Sequence, residues 1–243
     1  MTSKTTPSTF LPRPVRQPDI DALVVGIVVI SVGFGLWKLA RARRWQVTGT
    51  LVWRASHARP EVALTLDDGP WPEHLHEVLD LLKARNVHAT FFVTGQAIEA
   101  NPSLLDEILA QNHELGNHSF SHKRMVLKGW AFVRDEVERT DALIRNHGVK
   151  GPIYFRPPFG KKLVILPLYL AHTGRTTVMW DVEASEDPSQ ATNAQSVCDY
   201  VLANVQPGSV LLFHPFGANG AIERKALPCV LDGIRQLGYR DGV

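Results

Sequence analysis

Cysteine is nearly absent from this sequence: only Cys198 and Cys229 occur among its 243 residues. Neither residue belongs to a CxxC or CxxH pattern, which excludes thiolate metal sites and CxxC redox motifs. One disulfide between them is an open alternative, but we expect both to be small hydrophobic residues of the core.

The body of the chain also lacks an excess of positive charge. Lys and Arg number 26 and Asp and Glu 24, and nine of the basic residues fall within the first 60 positions, where only two acidic ones occur. The remaining chain therefore carries 17 basic and 22 acidic residues. Because it has no positive field for phosphates, we exclude nucleic acid as a partner. No feature indicates an obligate protein partner.

Long hydrophobic runs are limited to one, at residues 22–37, where sixteen positions carry no charge and Leu39 and Ala40 extend the run past Lys38. This length is close to the ~20 residues of a transmembrane helix. The nearby small-x-small pattern, at 40–42, lies among basic residues, which argues against a cleaved signal. We predict a membrane anchor at 22–40, a disordered tail at 1–21 and a basic linker at 41–60.

From Glu61 onward, short apolar runs alternate with amphipathic stretches, which predicts an α/β fold with parallel strands. Gly or Pro separates most of these segments. The predicted strands are 62–66, 89–94, 114–117, 153–156, 177–181 and 210–213. The predicted helices lie near 73–85, 102–111, 128–147, 161–172, 193–204 and 223–237.

Ionisable residues stand at the ends of five of these strands. They are Asp67 with Asp68, His118, Arg156, Asp181 and His214. Because the carboxyl ends of parallel strands share one edge of the sheet, we expect these side chains to meet there.

Two motifs in this group suggest a metal site. Asp67 and Asp68 are adjacent on a strand, so they point to opposite sides; one can bind a metal while the other faces a reacting water. His118 and His122 share one face if their segment is a helical turn. Two histidines and a carboxylate leave an open coordination position, as in catalytic zinc sites. The alternative is that either histidine only caps a helix.

Arg156 and His214 are candidates for supporting roles. Two prolines follow Arg156 and hold the chain extended, so its side chain can orient an ionised Asp at the same edge; a surface arginine is the alternative. His214 ends an apolar run, which suits a general acid in a partly dry pocket, although a buried structural histidine fits equally well.

The ordered motifs TLDDG (65–69), HSFSH (118–122), RPPFG (156–160), WDVEASED (180–187) and LFH (212–214) resemble the polysaccharide deacetylase family, the NodB homology domain of carbohydrate esterases. The resemblance covers roughly residues 60–240, so we take 61–243 as the catalytic domain. It implies a distorted (β/α) barrel and the metal-dependent removal of an acyl group from an N- or O-acylated sugar.

The resemblance also implies roles for individual residues. Asp67 would be the general base, steadied by Arg156, and His214 the general acid. The divalent metal, usually zinc, would be held by Asp68, His118 and His122, a site that Co²⁺ or Ni²⁺ can also fill. The backbone N–H of Phe159 would stabilise the oxyanion, Leu212 would line the pocket for the acyl methyl group, and Trp180 can stack on a sugar ring.

Three departures from the family pattern predict altered support around the site. Pro215 replaces the usual Asp after the final histidine. The Asp-Trp of the fourth motif has no clear counterpart, only Glu183, Glu186 and Asp187. After Gly238-Tyr239 the chain lacks the family's apolar strand, so we expect the barrel to end open.

The resulting hypothesis is a membrane-anchored metal-dependent deacetylase that acts on amino sugars of an envelope glycan such as peptidoglycan. One alternative is a deacylase or deformylase of a lipid-linked amino sugar, and another is an inactive glycan-binding module. An exported glycan requires the domain on the outer or periplasmic face. Four basic residues, Lys38, Arg41, Arg43 and Arg44, follow the uncharged run at 22–37 and only three precede it, so the positive-inside rule argues weakly the other way.

Overall fold

The computed structural model describes residues 20–55, 60–186, 191–217 and 220–241. The chain divides into two compact units, Met1–Trp37 and Lys38–Val243. The predicted tail at 1–21 lies almost wholly outside the described residues, as do Asp187 and the last two residues.

The N-terminal apolar run forms one helix, α1 (Ile20–Ala40). Within it, Leu23–Ala40 has a mean hydropathy of 2.2 and is almost entirely exposed. The helix is therefore long and apolar enough to cross a membrane, a property that an N-terminal signal sequence shares. The anchor at 22–40 stays a prediction.

The second unit alternates strands and helices, as the hydrophobic pattern predicts. Its strands are β1 (Leu51–Val52), β2 (Glu61–Gly69), β3 (Thr90–Val93), β4 (Glu114–Asn117), β5 (Thr177–Val178), β6 (Val182–Glu183), β7 (Val210–Phe213) and β8 (Arg240–Asp241). The helices are α2 (Pro72–Arg85), α3 (Gly95–Ala100), α4 (Ser103–Ala110), α5 (Trp130–Asn146), α6 (Ile165–His172), α7 (Ala194–Asn204) and α8 (Ala221–Gln236), with a 3₁₀ turn at Pro158–Gly160.

The main sheet has the order β4-β3-β2-β7-β6, and all its pairings are parallel. A second parallel pair joins β1 to β5. Phe155 links the two sheets, since it bridges Asn117 on one side and Thr177 on the other. The α/β prediction with parallel strands is therefore confirmed, and the carboxyl ends of β2, β4 and β7 lie at one edge.

Four sequence expectations about strands need correction. The strand predicted at 153–156 reduces to Phe155, because Pro157 and Pro158 have no N–H to continue a ladder. The strand predicted at 177–181 splits into β5 and β6, which belong to different sheets. β1 lies inside the segment that we interpret as a linker. After Gly238-Tyr239 the chain still forms a short strand, because β8 pairs with the first two residues of β2.

The two cysteines also differ from the expectation. Cys198 on α7 and Cys229 on α8 form a disulfide across 31 residues of sequence. The preference for two unbonded core residues was therefore wrong, although Cys198 is fully buried in the core beside the sheet. The bond ties together the two helices that follow β6 and β7.

Candidate functional site

The two aspartates at the end of β2 lie on the same side of the sheet edge, contrary to the expected alternation. Asp68 has a φ of 73°, and the register of β2 against β3 shifts between Asp67 and Gly69. Such a bulge breaks the two-residue period of a strand and re-aims a side chain. As a result, Asp67 Oδ2 and Asp68 Oδ1 each lie 3.5 Å from Nε2 of His118.

The two histidines meet through a turn and not through a helix. His118 follows β4 directly, and the next residues turn back through Ser119 and His122, with φ values of 67° and 53°. The N–H of His122 donates to Ser119 Oγ, which closes the turn. The predicted helical turn is wrong, but the two imidazole centroids lie only 4.9 Å apart.

The tautomer of His118 follows from its partner. Its Nδ1 lies 2.8 Å from the carbonyl oxygen of Arg156, which can only accept a hydrogen bond, so Nδ1 carries the proton. Burial lowers the pKa of His118 to about 3, which leaves the ring neutral. The lone pair of Nε2 therefore faces the two aspartates, as a metal ligand requires.

Asp68, His118 and His122 fit a divalent metal. Each offers one ligand atom, and these three atoms lie within 4.8 Å of one another. Asp68 Oδ1 is buried and has no hydrogen-bond partner among the described residues, and it lies 3.2 Å from His122 Nε2. Ligand atoms bound at about 2.0–2.1 Å to one tetrahedral zinc lie about 3.3 Å apart, close to the 3.5 and 3.2 Å that separate Asp68 Oδ1 from the two imidazole nitrogens. The triad is thus a candidate divalent-metal site.

Arg156 is not a surface residue but is completely buried behind Asp67. Its Nη1 donates to Asp67 Oδ1 at 2.7 Å and also to Thr65 Oγ1. Nη2 donates to the carbonyl of Met179, and the guanidinium stacks on Phe92 at 4.0 Å. Burial lowers the pKa of Arg156, and the Asp67 carboxylate opposes this. The support of Arg156 therefore comes from the sheet and does not require the altered fourth motif.

Asp67 and the metal triad line a cavity of about 570 Å³. The other predicted residues that line it are Phe159, Trp180, Leu212 and His214. Gly160, with a φ of 63°, allows this shape, because a Cβ there would lie 2.7 Å from the Trp180 ring. Asp181, by contrast, does not join the site: its carboxylate binds Arg54 and accepts hydrogen bonds from Ser209 and the N–H of Val210.

Glu223 is a residue of the site that the sequence analysis missed. It is buried in the first turn of α8, and Oε1 lies 4.0 Å from His214 Nδ1. Oε2 accepts the backbone N–H of His214, and Ser185 Oγ donates to Oε1 at 2.6 Å. A carboxylate thus lies beside His214, although position 215 itself, a proline, offers none. The sequence did carry a signal for this residue. Glu223 lies three residues before Ala226, on the buried face of an amphipathic helix.

The parallel α/β fold, with this site at its edge, is of the CE4 deacetylase type. The chain belongs to the polysaccharide deacetylase family, which it matches over residues 54–178. A peptidoglycan-N-acetylglucosamine deacetylase of Bacillus cereus is 31% identical over 199 residues, 79% of this chain and 90% of that protein.

Two solved structures illustrate the range of the family. A peptidoglycan N-acetylglucosamine deacetylase in complex with 4-naphthalen-1-yl-N-oxidanyl-benzamide has a TM-score of 0.74 at 28% identity, covering 79% of this chain and 89% of that one. A CE4 family pseudoenzyme from Bacillus anthracis has a TM-score of 0.72 at 25% identity, covering 81% and 68%. Because the family includes a pseudoenzyme, activity has to be argued from the residues of the site.

Proposed function

We propose that this protein is a metal-dependent hydrolase that removes the acetyl group from N-acetylated amino sugars of a cell-envelope glycan such as peptidoglycan. The observation that carries the proposal is the position of the Asp67 carboxylate beside the Asp68-His118-His122 triad in one cavity. The relative of Bacillus cereus named above supports the substrate class. A binding module would have no chemical need for a buried Asp67-Arg156 pair beside a metal site.

Asp67 is the general base in this proposal. Arg156 binds Oδ1 and leaves Oδ2 facing the triad, where it can take a proton from an attacking water. The buried guanidinium fixes the orientation of the carboxylate, so that Oδ2 stays directed at the triad. When bound, a divalent cation, which the donor set of two imidazoles and one carboxylate favours as zinc, supplies Lewis-acid stabilisation at this point.

The remaining steps use the other residues that line the cavity. The backbone N–H of Phe159 stabilises the negative charge that develops on the acyl oxygen. His214 then donates a proton to the leaving nitrogen as the C–N bond breaks, so acetate and a free amine result. Leu212 and Trp180 form the apolar wall against the acyl methyl group and the sugar ring.

The location and architecture are part of the proposal. Residues 22–40 anchor the protein in a membrane, and the domain at 61–243, a distorted (β/α) barrel, acts on the outer or periplasmic face. The apolar helix supports the anchor, and the glycan substrate supports the outer face, against the weak positive-inside count. Protease protection of the C-terminus in sealed vesicles tests this: a cytoplasmic C-terminus contradicts the outer-face assignment.

A lipid-linked amino sugar is the second candidate substrate. The observation that favours it is that Arg41, the first residue after α1, lines the catalytic cavity. If α1 ends at the bilayer surface, Arg41 is close to the headgroup region, where the sugar of a lipid-linked substrate is found. The chemistry would be the same deacylation or deformylation.

The test is acetate release by the full chain in detergent from N-acetylglucosamine oligomers. The protein is assayed as purified, after chelation, and after one equivalent of zinc is restored. Release that disappears with the metal and returns with zinc supports the proposal. A folded protein that binds one zinc tightly but acts only on lipid-linked substrates supports the second candidate. A folded protein that binds no zinc contradicts both.

A further inference from the structure

The segment directly after α1 contributes a residue to the catalytic cavity. Arg43 Nη2 lies 2.9 Å from Glu183 Oε2, and Nη1 lies 2.6 Å from Glu186 Oε2. The guanidinium also stands over the Trp180 ring, with Cζ 4.8 Å from the ring centroid. One side chain thus contacts three residues of the fourth motif, and all four residues line the cavity.

The backbone of this segment is held as well. The N–H of Lys162 donates to the carbonyl of Ala40 at 3.0 Å, and its ammonium donates to the carbonyl of Ala42. Lys162 is buried and follows the turn that contains Phe159. Arg43 is therefore fixed from both sides, by its own side-chain contacts and by the loop beside the expected oxyanion site.

A continuous set of contacts leads from Arg43 to the proposed base. Glu183 Oε2, which binds Arg43, also accepts a hydrogen bond from Trp180 Nε1 at 3.0 Å. The Trp180 ring lies 5.6 Å from Cζ of Arg156, and Arg156 holds Asp67. The orientation of the Trp180 ring therefore depends on where Glu183 is held.

Electrostatics explain why Glu183 needs Arg43. Glu183 and Glu186 both approach one guanidinium, so without it two carboxylates would repel each other at the cavity wall. Burial raises the pKa of Glu183, and the charge of Arg43 opposes this effect. A bidentate guanidinium suits this task better than an ammonium, because it can bind both carboxylates at fixed angles.

We propose that Arg43 is a positioning residue of the active site: it holds Glu183 and Glu186 and thereby fixes Trp180 as the cavity wall beside Arg156 and Asp67. As a statement about catalysis, this rests on the proposed deacetylase function. It also makes the segment after the apolar helix part of the catalytic site and not only a linker.

The test compares Arg43→Met with Arg44→Met in the full chain. Arg44 is the matched control, because it is adjacent, carries the same charge and stacks on Trp53 at 4.5 Å, away from the fourth motif. We expect Arg43→Met to lower kcat/KM by about 10- to 100-fold, since misplaced active-site groups cost rates of this order. Arg44→Met should change it less than about twofold. Zinc content should be unchanged in both, and Arg43→Lys should restore part of the loss.

A second readout does not depend on activity. The indole N–H of Trp180, assigned in ¹⁵N-tryptophan-labelled protein by comparison with Trp180→Phe, should shift in Arg43→Met and stay in place in Arg44→Met. A Trp180 signal that does not move in Arg43→Met overturns the inference, as does equal activity of the two variants. Absence of acetate release from the zinc-loaded wild type would instead count against the proposed function, while the Trp180 shift still decides the role of Arg43.

Discussion

The two sides of the proposed catalytic cavity, that of the proposed base Asp67 and that of the proposed acid His214, are built differently. On the base side, Asp67, Asp68 and His118 stand at the ends of β2 and β4, which flank β3, and Arg156 is held by Thr65 and the carbonyl of Met179. On the acid side, His214 also follows a strand, β7, but it is held by Glu223 of α8, and Trp180 depends on the segment after α1. Strand ends place the first group by the geometry of the sheet itself, whereas the second group needs partners from elsewhere in the chain.

The proposed base and acid themselves differ in burial. Asp67, His118 and Arg156 are at most 2% exposed, whereas the His214 side chain is one-third exposed. A buried charge pair tolerates few substitutions, because removal of one partner leaves the other charge buried without a counter-charge. The partly exposed His214 has a carboxylate neighbour in Glu223, which binds its backbone N–H, while Pro215 offers none.

The largest expected effect is on the base side. Asp67→Asn keeps an oxygen for Arg156 but cannot take a proton, so kcat should fall by about 10²- to 10⁴-fold. Zinc content should stay near one per chain, because Asp67 is outside the triad. In the neighbouring variant Asp68→Ala, zinc should be lost together with activity. Acetate release and zinc content are measured for both variants. Loss of zinc in Asp67→Asn would contradict the separate roles of the two aspartates.

The acid side should show a smaller effect. Glu223→Gln keeps the shape of the side chain but removes the charge near His214, and we expect kcat to fall about tenfold with little change in KM, since His214 is held less firmly in its donating position. Asp232→Asn is the matched control on α8, because Asp232 is exposed and binds Arg85. A Glu223→Gln variant as active as Asp232→Asn would show that Glu223 does not support His214.

The sequence predicted the base side well for a physical reason. Its residues lie within short motifs at strand ends, and several strands were predicted within one or two residues because their apolar runs are continuous. The local geometry could not be predicted from the sequence in the same way. Asp67 and Asp68 do not point to opposite sides, and the segment from His118 to His122 is not a helical turn, because bulges and left-handed residues follow neither the strand nor the helix period.

The acid side was predicted poorly because its contacts are distant in sequence. Glu223 is 9 residues from the N–H that it binds and 38 from Ser185, and Arg43 is 140 from Glu183. The hydrophobic period of a helix or strand does not indicate which residues of other elements it contacts. The Cys198–Cys229 bond belongs to the same category, because only the packing of α7 against α8 brings the two residues together.

The disulfide links α7 to α8, and its removal tests whether this link supports the acid side of the cavity. Cys198→Ala/Cys229→Ala should lower the free energy of unfolding by about 3 kcal/mol, since a loop of this length is then free in the unfolded chain. Because Ser185 and the N–H of His214 still hold the start of α8, kcat should change less than about threefold. Chemical denaturation and acetate release measure the two quantities. A loss of kcat as large as in Glu223→Gln would mean that the disulfide positions Glu223.

The smallest expected effect is on the stability of the fold at acid pH, and its measurement distinguishes unfolding from a loss of catalysis. His113, at the start of β4, is buried; its Nδ1 accepts the N–H of Ala89, and burial lowers its pKa from 6.5 to about 4. The unfolded chain therefore binds this proton more readily, so the stability present above pH 6.5 declines as the pH falls from 6.5 towards 4.

His113→Asn keeps an acceptor for Ala89 without the charge. Between pH 7 and pH 5 the variant should lose about 1 kcal/mol less stability than the wild type, measured by denaturation at each pH. His172→Asn, a change at an exposed ring that contacts Trp130, is the control. Equal acid sensitivity of the His113→Asn variant and the wild type would show that His113 does not limit stability at acid pH.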